Sequence, residues 1–388
     1  MTKKSVFIFA RTSQLAHVGG PFGYLNNLRH QTKKEGITNI HFIEDGKYKK
    51  TNKRFKELRK VLYPFKKAYY YRSILKRGRS SRLIEECKDD FIHFHFTEDL
   101  FKYRDSLNKY HGKIILTSHS PTLASLQIID SLSNFEKKVF NRIYSKLIKM
   151  DKFAFEHADY SVFPCEEAEE PYSHAWKEFD EFKQKNKSKF KYIPTGIDQC
   201  VATVTSDKVF SKYEIPNNSF VVSFVGRHNE IKGYDNLKVI GKNIISTIAN
   251  SYFLIAGNEN PLHGLDNKRW IEAGWTNDPY SLINASDVFI LPNKETYFDL
   301  VFLEVLSLGK TIVASKTGGN KYFERFKSSG IYLYSSIQEC EEILQKLSHR
   351  TSEEIRRDEE ANLKIYQKYF TSKVFLKNYL NLINSLKD

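Results

Sequence analysis

Eleven short apolar runs, separated by longer stretches of helical periodicity, set the tightest limit on how this chain can fold. In the first half they are SVFIFA (5–10), NIHFIE (39–44), FIHFHF (91–96), KIILTSH (113–119), YSVFP (160–164) and KYIPTG (191–196). In the second they are FVVSFVG (220–226), YFLIAG (252–257), DVFILP (287–292), KTIVAS (310–315) and IYLYS (331–335). Most are continuous rather than alternating, the pattern of strands covered on both faces. Strands of that kind, interleaved with helices, predict an α/β chain with parallel sheets. At 388 residues the chain exceeds what one core ordinarily organises, so two domains are expected.

The two sets of runs read as two Rossmann-like domains. The junction falls after PTGID (194–198). There follows a stretch of small polar residues, 199–219, ending in the turn signal Pro216-Asn217-Asn218-Ser219. The expected division is 1–198, 199–365 and a terminal helical segment 366–388. Helical patterning runs from Ser352 to the last residue, rich in aromatic and aliphatic side chains.

Charge is concentrated. The chain carries a net +15, and between Lys47 and Arg82 stand fifteen Lys/Arg against one acid, Glu57. The remainder is close to neutral. Phe55, Tyr63, Phe65 and the run Tyr69-Tyr70-Tyr71 are interleaved with the cations. Such a segment attracts polyanions: nucleic acid, or an anionic membrane leaflet, where each basic residue contributes on the order of 1 kcal/mol. Lys53, Arg54, Arg59 and Lys60 are the candidate membrane-facing residues. A solvated basic face is the plainer alternative. No window holds eighteen apolar residues, so no membrane span is expected. The apolar run after MTKK is too short for a signal peptide and reads as a first strand. Cys87, Cys165, Cys200 and Cys340 are scattered, with no CxxC pair. They suggest neither a zinc site nor a disulfide framework, and they fit a reducing cytoplasm.

Four groups could carry chemistry. In FVGRHNEIKGYDNL (224–237) a strand ends at Gly226, Arg227 and Lys232 follow, and Gly233 opens a helical pattern. Two cations after a strand's carboxyl end, beside a helix start, suit a diphosphate. In VGGPFGYLNNL (18–28), Gly19 and Gly20 permit close backbone approach, although an ordinary strand-to-helix turn would use them too. His93 and His95 lie on one side of their strand. One is expected to be buried and the other open, while His119 ends a strand just before Ser120-Pro121. Finally, NKETYFDLVFLEVLSLGKTIVASKTGG (293–319) places Glu304 in an apolar helical run. A buried carboxylate needs a structural partner or a ligand. Trp275, after Gly274, is either packed or available for stacking on a base.

The last segment resembles the donor-sugar signature of retaining glycosyltransferases of family 4, and 224–237 resembles that family's Gly-Arg-Lys-Gly element. Phe298 stands where the family has its Phe and Glu304 where it has its second Glu. Asp299 replaces the usual Gly. The first Glu would fall at Thr296, whereas the carboxylate here is Glu295. The resemblance implies a GT-B fold: two Rossmann-like domains with a cleft between them and a C-terminal helix crossing back to the N-terminal domain. It implies that Arg227 and Lys232 neutralise a leaving nucleoside diphosphate and that Glu304 accepts hydrogen bonds from ribose hydroxyls. Glu295, with Phe298 and the main chain at Leu300 and Val301, would orient the sugar. Trp275 would lie near the base, and Gly20 near the diphosphate. His119 would sit close to the transferred sugar, and Gly19 and His95 toward the acceptor. The metal-dependent GT-A enzymes use Asp-x-Asp. The nearest match, Asp89-Asp90, has the wrong spacing, so no metal or other cofactor is expected. The nucleotide sugar is then a co-substrate, UDP-linked rather than GDP-linked. The acceptor would be a lipid-linked glycan met at the inner face of the membrane. Two other readings remain open from the sequence: a non-catalytic partner subunit with a similar fold, and, on charge alone, a nucleic-acid-binding protein.

Overall fold

The computed structural model describes residues 3–10, 20–42, 56–259, 261–327 and 329–387, with the backbone alone for 56–61. Its elements form two six-stranded sheets, each with every pair parallel. The first contains β1 (Val6–Phe9), β2 (Ile40–Phe42), β3 (Phe91–Phe94), β4 (Lys113–Leu116), β5 (Tyr160–Phe163) and β6 (Phe190–Tyr192), in the order β2-β1-β3-β4-β5-β6. The second contains β7 (Phe220–Val225), β8 (Ser251–Ala256), β9 (Trp270–Gly274), β10 (Val288–Leu291), β11 (Thr311–Ser315) and β12 (Ile331–Tyr334), in the order β12-β11-β10-β7-β8-β9.

All eleven apolar runs became strands. The twelfth, β9, was not expected, because RWIEAGW places a glutamate in mid-strand. Its cause is tertiary. The Trp270 indole N–H donates to Glu272 at 2.7 Å and the Tyr234 hydroxyl donates to the same carboxylate oxygen, so the polar strand is held by partners from β9 and a helix. The strands are buried as the continuous runs require. In the second sheet Val222, Phe224, Phe253, Ile255, Val288, Ile290 and Val313 meet Leu237, Ile240 and Ile244 of the helix Tyr234–Thr247.

Contacts divide the chain into two compact units, neither of them a continuous stretch. One comprises Met1–Phe163, Tyr172–Ile193 and Leu376–Asp388; the other comprises Pro164–Pro171 and Pro194–Phe375. In the first, the terminal segment is tied in by the Tyr379 hydroxyl, 2.8 Å from His93 Nδ1, and by the Tyr160 hydroxyl, which donates to the Lys387 carbonyl at 2.9 Å. In the second, Pro164–Pro171 is tied in by Glu170, which pairs with Lys321, and by Glu167, 3.3 Å from the Arg325 guanidinium.

Strand order locates the ligand-binding end of each sheet. In the second unit the chain lays β8 and β9 to one side of β7, then returns to lay β10, β11 and β12 on the other. In the first unit it reverses at β1, between β2 and β3. A crevice opens at such a reversal, beyond the carboxyl ends of the two central strands. The loops after β7 and β10, and those after β1 and β3, are therefore the places to look.

Candidate functional site

In the second unit the loops after β7 and β10 are tied together. The Lys294 amide donates to the Ile231 carbonyl at 3.0 Å. Gly233, in the left-handed region at φ 66°, caps the helix Tyr234–Thr247. Asn229 Oδ1 accepts from the Lys232 amide at 2.9 Å and shapes the turn before it. This backbone delivers the two cations. The Arg227 side chain is exposed and makes no ion pair among the described residues. Lys232 is half-buried, and its Nζ lies 2.6 Å from Asp299 Oδ1. The other Asp299 oxygen accepts from Asn293 Nδ2 at 2.7 Å.

Asp299 is the N-cap of the helix Leu300–Ser307. Phe302, Leu303, Val305 and Leu306 bury one face of that helix, while Leu300, Val301, Glu304 and Leu308 share the more open one. The spacing i, i+1, i+4, i+8 is what a single helical face requires. Glu304 has no cationic partner among the described residues. Burial pushes its carboxyl up to about 7; a hydrogen bond with the Tyr280 hydroxyl opposes that rise, and the nearby Asp299 charge adds to it. Tyr280 and Cys200 line the same place. Trp275 is 62% exposed at the end of β9. It is not packed, which leaves its face available for stacking.

The turn after β10 explains the Gly pair at 318–319. A Cβ on Gly318 would stand 2.0 Å from the Thr296 carbonyl oxygen, and one on Gly319 would stand 2.0 Å from that of Tyr297. The Gly319 amide donates to the Thr296 carbonyl at 3.2 Å. Close backbone contact thus fixes 295–298. Glu295 is half-buried, whereas the Thr296 side chain is 1% exposed. Phe298 is buried against Phe323, ring centroids 5.5 Å apart, and so serves to hold the loop.

In the first unit, Gly20 at φ 25° begins the helix Gly20–Lys34. Gly19, Lys53 and Arg54 lie outside the described residues. Arg59 and Lys60 fall in the helix Lys56–Lys76, with backbone only. The histidines require a correction. His93 and His95 are both wholly buried, so His95 is not an open acceptor-side group. The reason is that their shared side of β3 is covered. His93 is 2.8 Å from the Tyr379 hydroxyl and 2.9 Å from Thr117 Oγ1. The Tyr24 ring packs on His95 and His119. His95 Nδ1 lies 2.8 Å from His119 Nε2, which makes His95 a support for His119. His119 is half-buried and takes a positive φ of 56°, an uncommon conformation for a residue with a side chain. Burial lowers its pKa to about 3 and holds those of His93 and His95 well below the usual range, so all three imidazoles are neutral near pH 7.

Sequence reasoning missed Asn293, Tyr280 and the role of Asp299. An acid directly before an apolar helix, in a chain with two cations after a neighbouring strand, was the available signal for Asp299. Nothing local marks Tyr280. Among the described residues no three His, Cys, Asp or Glu side chains are grouped as a metal site would need.

The chain resembles known proteins in this region and in its overall architecture. Residues 219–349 match the family described as glycosyl transferases group 1. A 161-residue stretch is 29% identical to the UDP-Gal:alpha-D-GlcNAc-diphosphoundecaprenol alpha-1,3-galactosyltransferase of Escherichia coli, covering 37% of this chain and 41% of that one. The chain thus matches about two fifths of the length of this curated relative. Among solved structures, Anabaena HepE in complex with UDP and glucose superposes with a TM-score of 0.62 at 15% identity, over 99% of this chain and 100% of that one. WaaG, a glycosyltransferase involved in lipopolysaccharide biosynthesis, gives 0.58 at 13% identity, over 98% and 100%. With two parallel six-stranded sheets and these neighbours, the chain has a GT-B fold, and residues 219–349 of its second unit are similar to glycosyl transferases group 1.

Proposed function

We propose that this protein is a retaining glycosyltransferase that moves a sugar from a nucleotide sugar, UDP-linked by preference, to a lipid-linked saccharide acceptor. The observation that carries the reading is the placement of Arg227 and Lys232 in the loop after β7 and of Glu304 on the helix that follows the loop after β10, the two segments joined by the Lys232–Asp299 pair at the reversal of the second sheet. Arg227 and Lys232 supply positive charge where a departing diphosphate develops negative charge, a preorganised electrostatic contribution. Glu304, on the open face of its helix and without a cation, is an acceptor for ribose hydroxyls. Glu295 and the main chain at Leu300 and Val301 orient the sugar. His119 is a neutral hydrogen-bonding group for the transferred sugar. The acceptor hydroxyl attacks from the side of the leaving group, its proton passing to the departing phosphate oxygen, without a metal.

The Escherichia coli relative acts on a diphosphoundecaprenol-linked sugar, which supports a lipid-linked acceptor and a place in surface polysaccharide assembly. Peripheral attachment to the inner membrane face has its own support. Leu62, Tyr63, Phe65 and Tyr69 are exposed on the basic helix Lys56–Lys76, beside exposed Lys66, Arg72 and Lys76. Aromatic side chains among cations suit an anionic interface. No helix among the described residues is long and apolar enough to cross a membrane.

A thermal-shift panel of UDP-, GDP- and TDP-sugars, repeated on Glu304→Ala, tests the donor site. A cognate donor raises the wild-type midpoint by mass action and leaves the variant nearly unmoved. If no nucleotide moves the wild-type protein, the catalytic reading fails. Flotation with anionic liposomes tests the surface. Binding at low salt should disappear when Lys53, Arg54, Lys56, Arg59 and Lys60 are changed to Ala.

A further inference from the structure

Asp299 occupies an unusual position for a carboxylate. As the N-cap of the helix Leu300–Ser307 it stands where an aspartate ordinarily accepts a hydrogen bond from the helix's own first-turn amides. It makes no such bond. Both oxygens are used elsewhere, one on Lys232 Nζ at 2.6 Å and the other on Asn293 Nδ2 at 2.7 Å. The pair is partly shielded, the two side chains being 27% and 18% exposed. Its members come from different strand ends, Lys232 from the loop after β7 and Asp299 from the loop after β10. The carboxylate also adds repulsion at Glu304. An acid that forgoes its cap and crowds a second acid serves the cation it holds.

We propose that Asp299 is a built-in counter-anion for Lys232, which a nucleoside diphosphate must displace in order to bind. This rests on the reading of Lys232 as a diphosphate group. In the free protein the ammonium is held by Asp299 in a fixed position across the crevice. An incoming diphosphate offers the same charge and acceptor geometry and takes the ammonium over, leaving the Asp299 carboxylate with Asn293. Two consequences follow. Ligands carrying a full diphosphate compete well for Lys232, whereas those with a single phosphoryl group compete poorly. Affinity for the nucleotide product is also held down, because each release restores the internal pair.

The test is calorimetric titration of the full chain with UDP and, separately, GDP. It uses wild type, Asp299→Asn, Asp299→Gly, Lys232→Met and the Asp299→Asn/Lys232→Met double variant, each checked for cooperative thermal unfolding. Asparagine keeps the shape and the acceptor for Asn293 while removing the charge. Whichever nucleotide binds should bind Asp299→Asn about tenfold more tightly than wild type, a change of about 1.4 kcal/mol. Asp299→Gly should shift in the same direction. In the Lys232→Met background the same substitution should change affinity by less than about twofold, since coupled residues are non-additive. Unchanged or weaker binding by both Asp299 variants overturns the proposal. Equal tightening in the Lys232→Met background also overturns it, because the effect would then be general repulsion at the helix start. Absence of binding by every variant, with either nucleotide, overturns the donor-site reading itself and this inference with it.

Discussion

Gly233 and Pro292 touch so closely that no side chain fits between them: a Cβ on Gly233 would stand 1.6 Å from the Pro292 carbonyl oxygen. The contact brings the loop after β7 against the loop after β10, with Gly233 at a φ of 66° that side chains rarely adopt. Both the position and the conformation require glycine. Gly233→Ala is expected to lower the stability of the second unit by 2 kcal/mol or more, on the order of the strain and clash terms combined. It should also weaken nucleotide binding, because Lys232 is its immediate neighbour. Chemical denaturation and nucleotide titration of the variant would check both effects; wild-type values for each would refute the account.

Glu304 makes stability depend on pH in a defined direction. Its folded value near 7 lies above the ordinary glutamate value of 4.5. The folded chain therefore holds its proton more tightly than the unfolded chain does. The associated stability is fully present below about pH 4.5 and is lost as pH rises through about 7. Glu304→Gln should thus stabilise the second unit at pH 8 by up to about 3 kcal/mol, with little effect at pH 4.5, while weakening nucleotide-sugar binding. Thermal midpoints at the two pH values, with two-domain unfolding resolved, provide the measurement.

The three histidines of the first unit act in the opposite sense. His93, His95 and His119 have folded values below the ordinary value of 6.5. Their contribution to stability is present above about pH 6.5 and is lost as pH falls, because the unfolded chain gains protons that the folded one refuses. The first unit is expected to weaken progressively below that pH. Imidazole resonances of the three residues should not titrate between pH 8 and 5.5 in the folded state. A midpoint near 6.5 for any of them would contradict the burial argument.

Phe298 is expected to act through packing. Phe298→Ala removes a ring stacked on Phe323 and in contact with Tyr322. A cost of about 3 kcal/mol is the usual range for such a truncation. Phe298→Leu should recover most of both stability and nucleotide affinity, whereas a residue needed for ring contact with the ligand would recover stability alone.

The fold was largely legible because parallel strands buried on both faces announce themselves as continuous apolar runs. β9 escaped since its central Glu272 is tolerated only through Trp270 and Tyr234, partners no local pattern reveals. The candidate site was legible where charged residues are concentrated in short segments. Arg227 and Lys232 stand at a strand end, and Glu304 stood out as a charge in an apolar helix. What the sequence concealed was pairing across distance. Asp299 looked like a departure from an expected glycine until Lys232, 67 residues away, was found beside it. His95 looked open because alternation gives the side of a strand but not what covers that side; Tyr24 and Tyr379 do so here.

The discontinuity of the two units bears on how the chain comes to be folded during synthesis. The first sheet is complete in sequence by Tyr192, yet the unit that contains it also draws on Leu376–Asp388, including the Tyr379 hydroxyl that meets His93. Nearly two hundred residues must be made in between. Until that segment emerges, His93 lacks part of its cover.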